Sequence, residues 1–204
     1  MTTKSRILET ARHLYNTHGV DKVTARHIAS EMGISDGNLR YHFKTREDIV
    51  FALYLQLVGG MDEVFAFDPQ AALDFNQMFH TIHGAFSQMY EYRFLMQDFA
   101  SLVRQIPKIG QHFRALNEVR KLAFEQVFQG AIEQGWLRKP LYPGEYQELL
   151  ERMEILSDFW MSAAQIRYQG PAAEMVQHYA QLVLKGMVPY LTPSGLAQFQ
   201  QQFP

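Results

Sequence analysis

The chain has 204 residues, of which 47% are hydrophobic and 20% charged, the composition of a folded protein with material for one large domain or for a small domain joined to a larger one. It has no cysteine, which excludes disulfides and thiolate metal sites; there is also no apolar run of ~18 residues to span a membrane and no apolar leader in the N-terminal MTTKSRILETARHLYN, so a cytoplasmic protein is expected. The net charge of -2 divides unevenly: residues 1–50 carry eight Lys/Arg against six Asp/Glu, and residues 51–204 carry eleven against fifteen. A locally basic end on an acidic chain suits a modular nucleic-acid binder better than a general nucleic-acid coat.

Residues 3–18 read as the first helix, with Ile7, Leu8, Ala11, Leu14 and Tyr15 on one face and Gly19 as its stop. Thr24 caps a second helix carrying Ile28, Ala29 and Met32, and Gly33 supplies the positive φ of a tight turn. Ser35 caps a third helix, Asp36 to Phe43, which Ile34, Leu39 and Phe43 pack back on the second. Ser35, Asp36, Gly37, Asn38, Arg40, Tyr41 and His42 remain on its outer side. A slim helix two turns long, with donors and acceptors outward, is what entering a major groove requires.

A fourth helix begins at Arg46, with Glu47 and Asp48 in its first turn and Ile49, Val50, Leu53 and Leu57 on one face, and is expected to run through Gly59-Gly60 to about Phe65. The glycine pair reads as a weak point or as a simple bend. Asp68-Pro69 marks a break. Helices are then expected at about 70–91, 92–105 and 107–134, followed by the loop Lys139–Gly144 and two long helices at about 145–169 and 172–190 separated by Gly170-Pro171. The tail after Thr192-Pro193 reads as Gln-rich, with room for a short helix. Both long helices are apolar on more than one face, more than one intramolecular seam requires.

The chemistry of the outer side follows from residue type. Ser35, Asp36, Asn38, Arg40 and Tyr41 are the candidates for base edges: Arg40 suits guanine, Asn38 suits adenine, and Asp36 either accepts from cytosine or serves the helix N-terminus. Thr24, Arg26, Tyr41, His42, Lys44, Thr45 and Arg46 are the phosphate candidates, helped by backbone N–H groups at two helix starts. Lys4 and Arg6 read as phosphate contacts or as solvated charge. His80 and His83 stand at i and i+3, a spacing open to a metal, but no carboxylate follows at ligand spacing, and no Gly-rich phosphate loop, nucleophile elbow or paired-carboxylate signature occurs. No enzyme activity, cofactor or metal is expected. The rival reading is a helical interaction protein, or a metal-dependent one, without specific DNA binding.

Thr24, Ile28-Ala29, Gly33-Ile34-Ser35, Gly37, Leu39, Tyr41, His42-Phe43 and Lys44-Thr45-Arg46-Glu47-Asp48 together resemble the DNA-binding domain of the TetR family of bacterial transcriptional regulators. One departure stands out: position 40, often Tyr in the family, is Arg40 here. The resemblance implies an all-α fold of about nine helices. A three-helix DNA-binding domain would occupy residues 1–46, and a larger effector-binding and dimerisation domain residues 47–204, with a linker helix at 46–66 carrying the ligand signal. It implies a homodimer through the helices at about 145–169 and 172–190, bound to a pseudo-palindromic operator on double-stranded DNA, most simply as a ligand-responsive repressor. It also implies an apolar or aromatic effector pocket, for which Phe86, Met89, Tyr90, Met96, Phe99, Phe159 and Trp160 are candidates, each equally readable as core.

Overall fold

A computed structural model of the chain describes residues 2–64 and 74–203. Eleven α-helices are present among them: α1 Thr3–His18, α2 Ala25–Glu31, α3 Asp36–His42, α4 Arg46–Val64, α5 Phe75–Glu91, α6 Arg93–Gln97, α7 Phe99–Gln105, α8 Pro107–Glu133, α9 Glu145–Arg167, α10 Ala172–Lys185 and α11 Pro193–Gln202. Short 3-10 turns sit at Val20–Lys22 and Val188–Tyr190, and extended pairing among the described residues amounts to one isolated antiparallel bridge between Leu137 and Leu191. The Asp68-Pro69 break, the start of the expected 70–91 helix and the expected end of the fourth helix at Phe65 lie outside the described residues. None of the described helices is long and apolar enough to cross a membrane.

One expected helix is divided and the tail forms a helix of its own, which raises the count from about nine to eleven, and another expected helix is shortened. The expected 92–105 helix is two, because Tyr92 (φ -113°, ψ 34°) and Asp98 (φ -115°, ψ 21°) leave the helical region. The first break is held from outside: Asn16 on α1 donates to the Glu91 carbonyl at 2.8 Å and accepts from the Phe94 N–H at 3.2 Å, so one amide satisfies both loose ends. The expected 172–190 helix ends at Lys185 and tightens into the 3-10 turn at Val188–Tyr190, where Pro189 lacks the N–H an α-helix would need.

The chain divides into two compact units, one of residues up to Met61 with Gln88–His112, the other of Asp62–Ser87 with Phe113 onward. In the first, Ile7, Ala11, Ile28, Leu39, Ile49, Val50 and Leu53 are buried, and the Tyr15 ring meets Phe94 at 5.2 Å. The Lys108 ammonium reaches Asp48 at 2.8 Å and lies 4.6 Å over the Phe51 ring, which ties the start of α8 to the start of α4. Helix α4 passes through Gly59-Gly60 without a break, and a Cβ at Gly60 would meet only the flexible Gln88 side chain, so the pair marks neither an interruption of α4 nor a close backbone approach.

The second unit has an aromatic interior. Phe75, Phe128, Leu137, Tyr146, Leu149, Leu184, Met187 and Phe199 form one cluster, which brings α11 into the core. Around the α8–α9 loop, Arg138 grips Glu145 at 2.6 and 2.9 Å, and the Glu145 carboxylate also accepts from the Leu141 N–H at 2.6 Å. Glu145 is buried, and this pairing holds its carboxyl at about 2, well below the usual carboxylate range.

Candidate nucleic-acid interface

The geometry of α2 and α3 starts from caps. Thr24 accepts from the His27 N–H, while the His27 ring accepts from the Thr24 N–H, both at 3.3 Å, a reciprocal cap with His where Glu or Gln is usual. At Gly33, φ is +64°, and the Gly33 and Ile34 N–H groups bond back to Ser30 and Ala29 at 3.1 and 3.0 Å. That turn stops α2 within one residue of Met32 and points the chain into α3. Ser35 then caps α3, accepting from the Asn38 N–H at 3.2 Å. Thr45 and Asp48 exchange bonds of 3.2 and 3.1 Å across the first turn of α4.

Only Leu39 of α3 is buried, followed by Phe43 just past its end. These two anchors seat the helix and leave the rest outside. Ser35, Asn38, Arg40 and Tyr41 are exposed, Tyr41 at 86%, while Asp36 and His42 are half-buried. All five base-edge candidates therefore lie on or beside one short helix. Arg40 Nε donates to Asp36 Oδ2 at 2.9 Å, an i,i+4 pair on the outer face.

The phosphate candidates lie on α3 and at the starts of α2 and α4. Thr24, Arg26, Lys44 and Thr45 are exposed at the starts of α2 and α4. The Tyr41 and His42 rings meet edge-on at 5.2 Å. Arg46 is half-buried and already engaged: it donates to the Val20 carbonyl at 3.3 Å and pairs with Asp21 at 3.6 Å and Glu47 at 3.5 Å. Lys4 lies 5.5 Å over the Phe43 ring. Asn16, His27 and Lys108 escaped the sequence reading, because their partners are decided by packing. Only His27, three residues past a Thr cap, carried a local signal.

The effector candidates divide between the units. Phe86 stacks on Trp160 at 5.0 Å and 21°, with Tyr179 5.3 Å from Trp160 on its other contact. Phe159, next in sequence to the fully buried Trp160, is 45% exposed. Met89, Tyr90, Met96 and Phe99 belong to the first unit, where Met89, Met96 and Phe99 are buried and Tyr90 is half-buried beneath Arg93 at 5.1 Å. In the second unit, the space between Phe75, Phe128, Trp136 and Met187 is about 10 Å³, room for no more than one water. Elsewhere in this unit, among the described residues, Trp160 Nε1 and Arg120 Nη2 are buried without a hydrogen bond, Arg120 Nη2 lying 3.6 Å from the Asp62 carboxylate. Burial pushes the Asp158 carboxyl up to about 6, reinforced by Glu154 and opposed by Arg120. His80 and His83 flank the Phe79 ring at 5.9 and 5.7 Å, and no group of three or more metal-capable side chains gathers among the described residues.

A capped helix-turn-helix on an all-α scaffold is the architecture of a DNA-binding regulator. The comparisons with known proteins give the family. The profile described as "Bacterial regulatory proteins, tetR family" matches residues 7–53, and that described as "Bacterial transcriptional repressor" matches residues 57–199. The chain belongs to the TetR family of bacterial transcriptional regulators, whose members bind DNA as homodimers and often answer to small molecules. It is 28% identical over 197 residues to the HTH-type transcriptional repressor KstR2 of Mycobacterium tuberculosis, covering 90% of this chain and 92% of that one. The fold is shared with a TetR-family transcriptional regulator from Marinobacter aquaeolei (TM-score 0.88, 23% identity, 99% and 97% of the two chains). It is shared also with the ketosteroid transcriptional regulator KstR2 of Mycobacterium tuberculosis (TM-score 0.63, 21% identity, 94% and 95%).

Proposed function

We propose that this regulator is a cytoplasmic repressor that binds a pseudo-palindromic operator as a homodimer and leaves it when a small apolar or aromatic effector binds. Residues 1–46 form the DNA-binding domain and residues 47–204 the effector-binding and dimerisation domain. Each subunit places α3 in a major groove, with Ser35, Asn38, Arg40 and Tyr41 toward base edges and Asp36 on the same face, bonded to Arg40. Thr24, Arg26, Tyr41, His42, Lys44, Thr45 and Arg46 face the phosphates on either side. Two-fold symmetry sets the half-sites about one helical turn, ~34 Å, apart or at a related spacing. The observation that carries this reading is the outer face of α3: a seven-residue helix that buries only Leu39 of its own residues, with every base-edge candidate at or near the surface.

The subunits pair through the helices at about 145–169 and 172–190. Ile155, Phe159 and Ile166 on α9 and Leu182 on α10 support this, being large apolar side chains left exposed in the single chain. An effector beside Phe86, Phe159 and Trp160 in the second unit, or beside Met89, Tyr90, Met96 and Phe99 in the first, acts by binding the DNA-competent and DNA-released states unequally. Footprinting on the DNA upstream of its own gene, at several salt concentrations, tests the reading. Protection of a two-fold symmetric site, with affinity falling ~10³-fold or more between 50 and 200 mM salt, is the expected result for six or more phosphate contacts. Equal binding to random fragments, or a shallow salt dependence, counts against it.

A further inference from the structure

Asp36 and Arg40 are joined on the one face of α3 that meets DNA in the reading above, and the atoms used matter. Arg40 donates through Nε, at 2.9 Å from Asp36 Oδ2. The guanidinium is a rigid fork of five N–H donors, and a bond at Nε leaves the parallel pair at its far end, on Nη1 and Nη2, unspent. That pair matches guanine O6 and N7 in the major groove. The Arg40 side chain is 66% exposed and that of Asp36 43%, so burial does not explain the pairing.

The carboxylate has a second effect. Alone on this face it would repel the phosphate backbone, whereas paired with Arg40 it is neutralised. A free arginine here would sample many rotamers and lose them on binding. Tied at Nε, it presents one edge in one direction before DNA arrives.

We infer that Asp36 is a positioning residue that sets the rotamer of Arg40, so that the pair reads a guanine in each half-site and Asp36 itself reads no base. The inference rests on the assignment of α3 to the major groove. It also accounts for the departure at position 40: an arginine in that place comes with an acid one turn earlier to aim it.

The test uses the full-length protein and the duplex it selects from a randomised pool. Binding is measured to that duplex, to versions with each G·C pair of a half-site changed to A·T, and to random duplex. Arg40→Ala loses roughly 10- to 100-fold in affinity for the selected duplex and becomes indifferent at one G·C pair. Asp36→Asn, of the same shape, loses most of the preference at that same pair. Its affinity for random duplex holds or rises, because a negative charge has left the surface. A merely structural Asp36 would weaken specific and random binding together. Asp36→Glu restores part of the preference, and Asp36→Asn changes nothing further at that pair in the Arg40→Ala background. Wild-type preference in Asp36→Asn, or a preference lost at a different base pair, overturns the inference while leaving α3 as the reading helix. Unchanged selectivity in both Arg40→Ala and Asn38→Ala overturns the groove assignment itself.

Discussion

Helices α3 and α9 are opposite solutions to the placing of apolar residues. Helix α3 has seven residues and buries one, Leu39, so its outside is almost wholly polar. Helix α9 has 23 residues and buries Tyr146, Leu149, Leu150, Trp160, Met161 and Ala164, yet Ile155, Phe159 and Ile166 remain 56%, 45% and 84% exposed. Positions 155, 159 and 166 fall on a single stripe at helical spacing, opposite Trp160 and Ala164. A short helix with one anchor is completed by its own chain. A long helix apolar on two sides is completed by another, which is what a two-fold dimer supplies.

The sharpest way to break this contrast is on the α9 stripe. Phe159→Glu with Ile166→Glu is expected to yield folded monomers by analytical ultracentrifugation. Operator affinity then falls by about 10²–10⁴-fold, because two half-sites are no longer engaged by one linked pair of reading heads. A dimer that survives both charges would place the seam elsewhere.

On α3 the contrast turns on its single anchor. Leu39 is fully buried, so Leu39→Ala should destabilise the protein by about 2–5 kcal/mol in chemical denaturation. DNA binding would be lost with it, since nothing else on the helix replaces that contact. A loss below about 1 kcal/mol would show that the site collapses around the smaller residue and that the anchor is shared more widely.

Within α9 itself, two carboxylates give a finer and smaller test. Glu145, paired with Arg138, has its carboxyl lowered from 4.5 to about 2, so its contribution is present above about pH 4.5 and fades as pH falls toward 2. Asp158 has its carboxyl raised from 3.8 to about 6 by burial. The folded state then holds that proton more tightly than the unfolded chain does, and stability falls as pH rises from about 4 through 6. Asp158→Asn should therefore stabilise the protein by about 2 kcal/mol at pH 8 and by little at pH 4. Glu145→Gln should do the reverse, lowering the thermal midpoint at pH 7 with the difference closing toward pH 3. Parallel pH profiles for the two variants would contradict the assigned environments.

The helix-turn-helix was legible from residue order because its determinants are local. Thr24, Gly33 and Ser35 act within three residues of themselves, and the anchor Leu39 is marked by spacing. The neighbouring pair Phe159 and Trp160 shows the limit. Both are large aromatics in one helix, and only the packing of Phe86 and Tyr179 places the second inside and leaves the first exposed. The break between α5 and α6 was equally hidden, since Asn16 lies 75 residues before the carbonyl it satisfies. The Asp48–Lys108 pair spans 60 residues and leaves no trace in either local pattern.

Helix type, turn chemistry and the polar outer face of α3 were thus decided by order along the chain, because caps, positive-φ glycines and helical periodicity act over three or four residues. Which aromatics are core, where α5 and α6 part and which atom of Arg40 is already engaged were decided only in three dimensions. Those outcomes depend on contacts or on side-chain geometry that residue spacing does not encode, and burial is settled by what arrives from elsewhere in the chain.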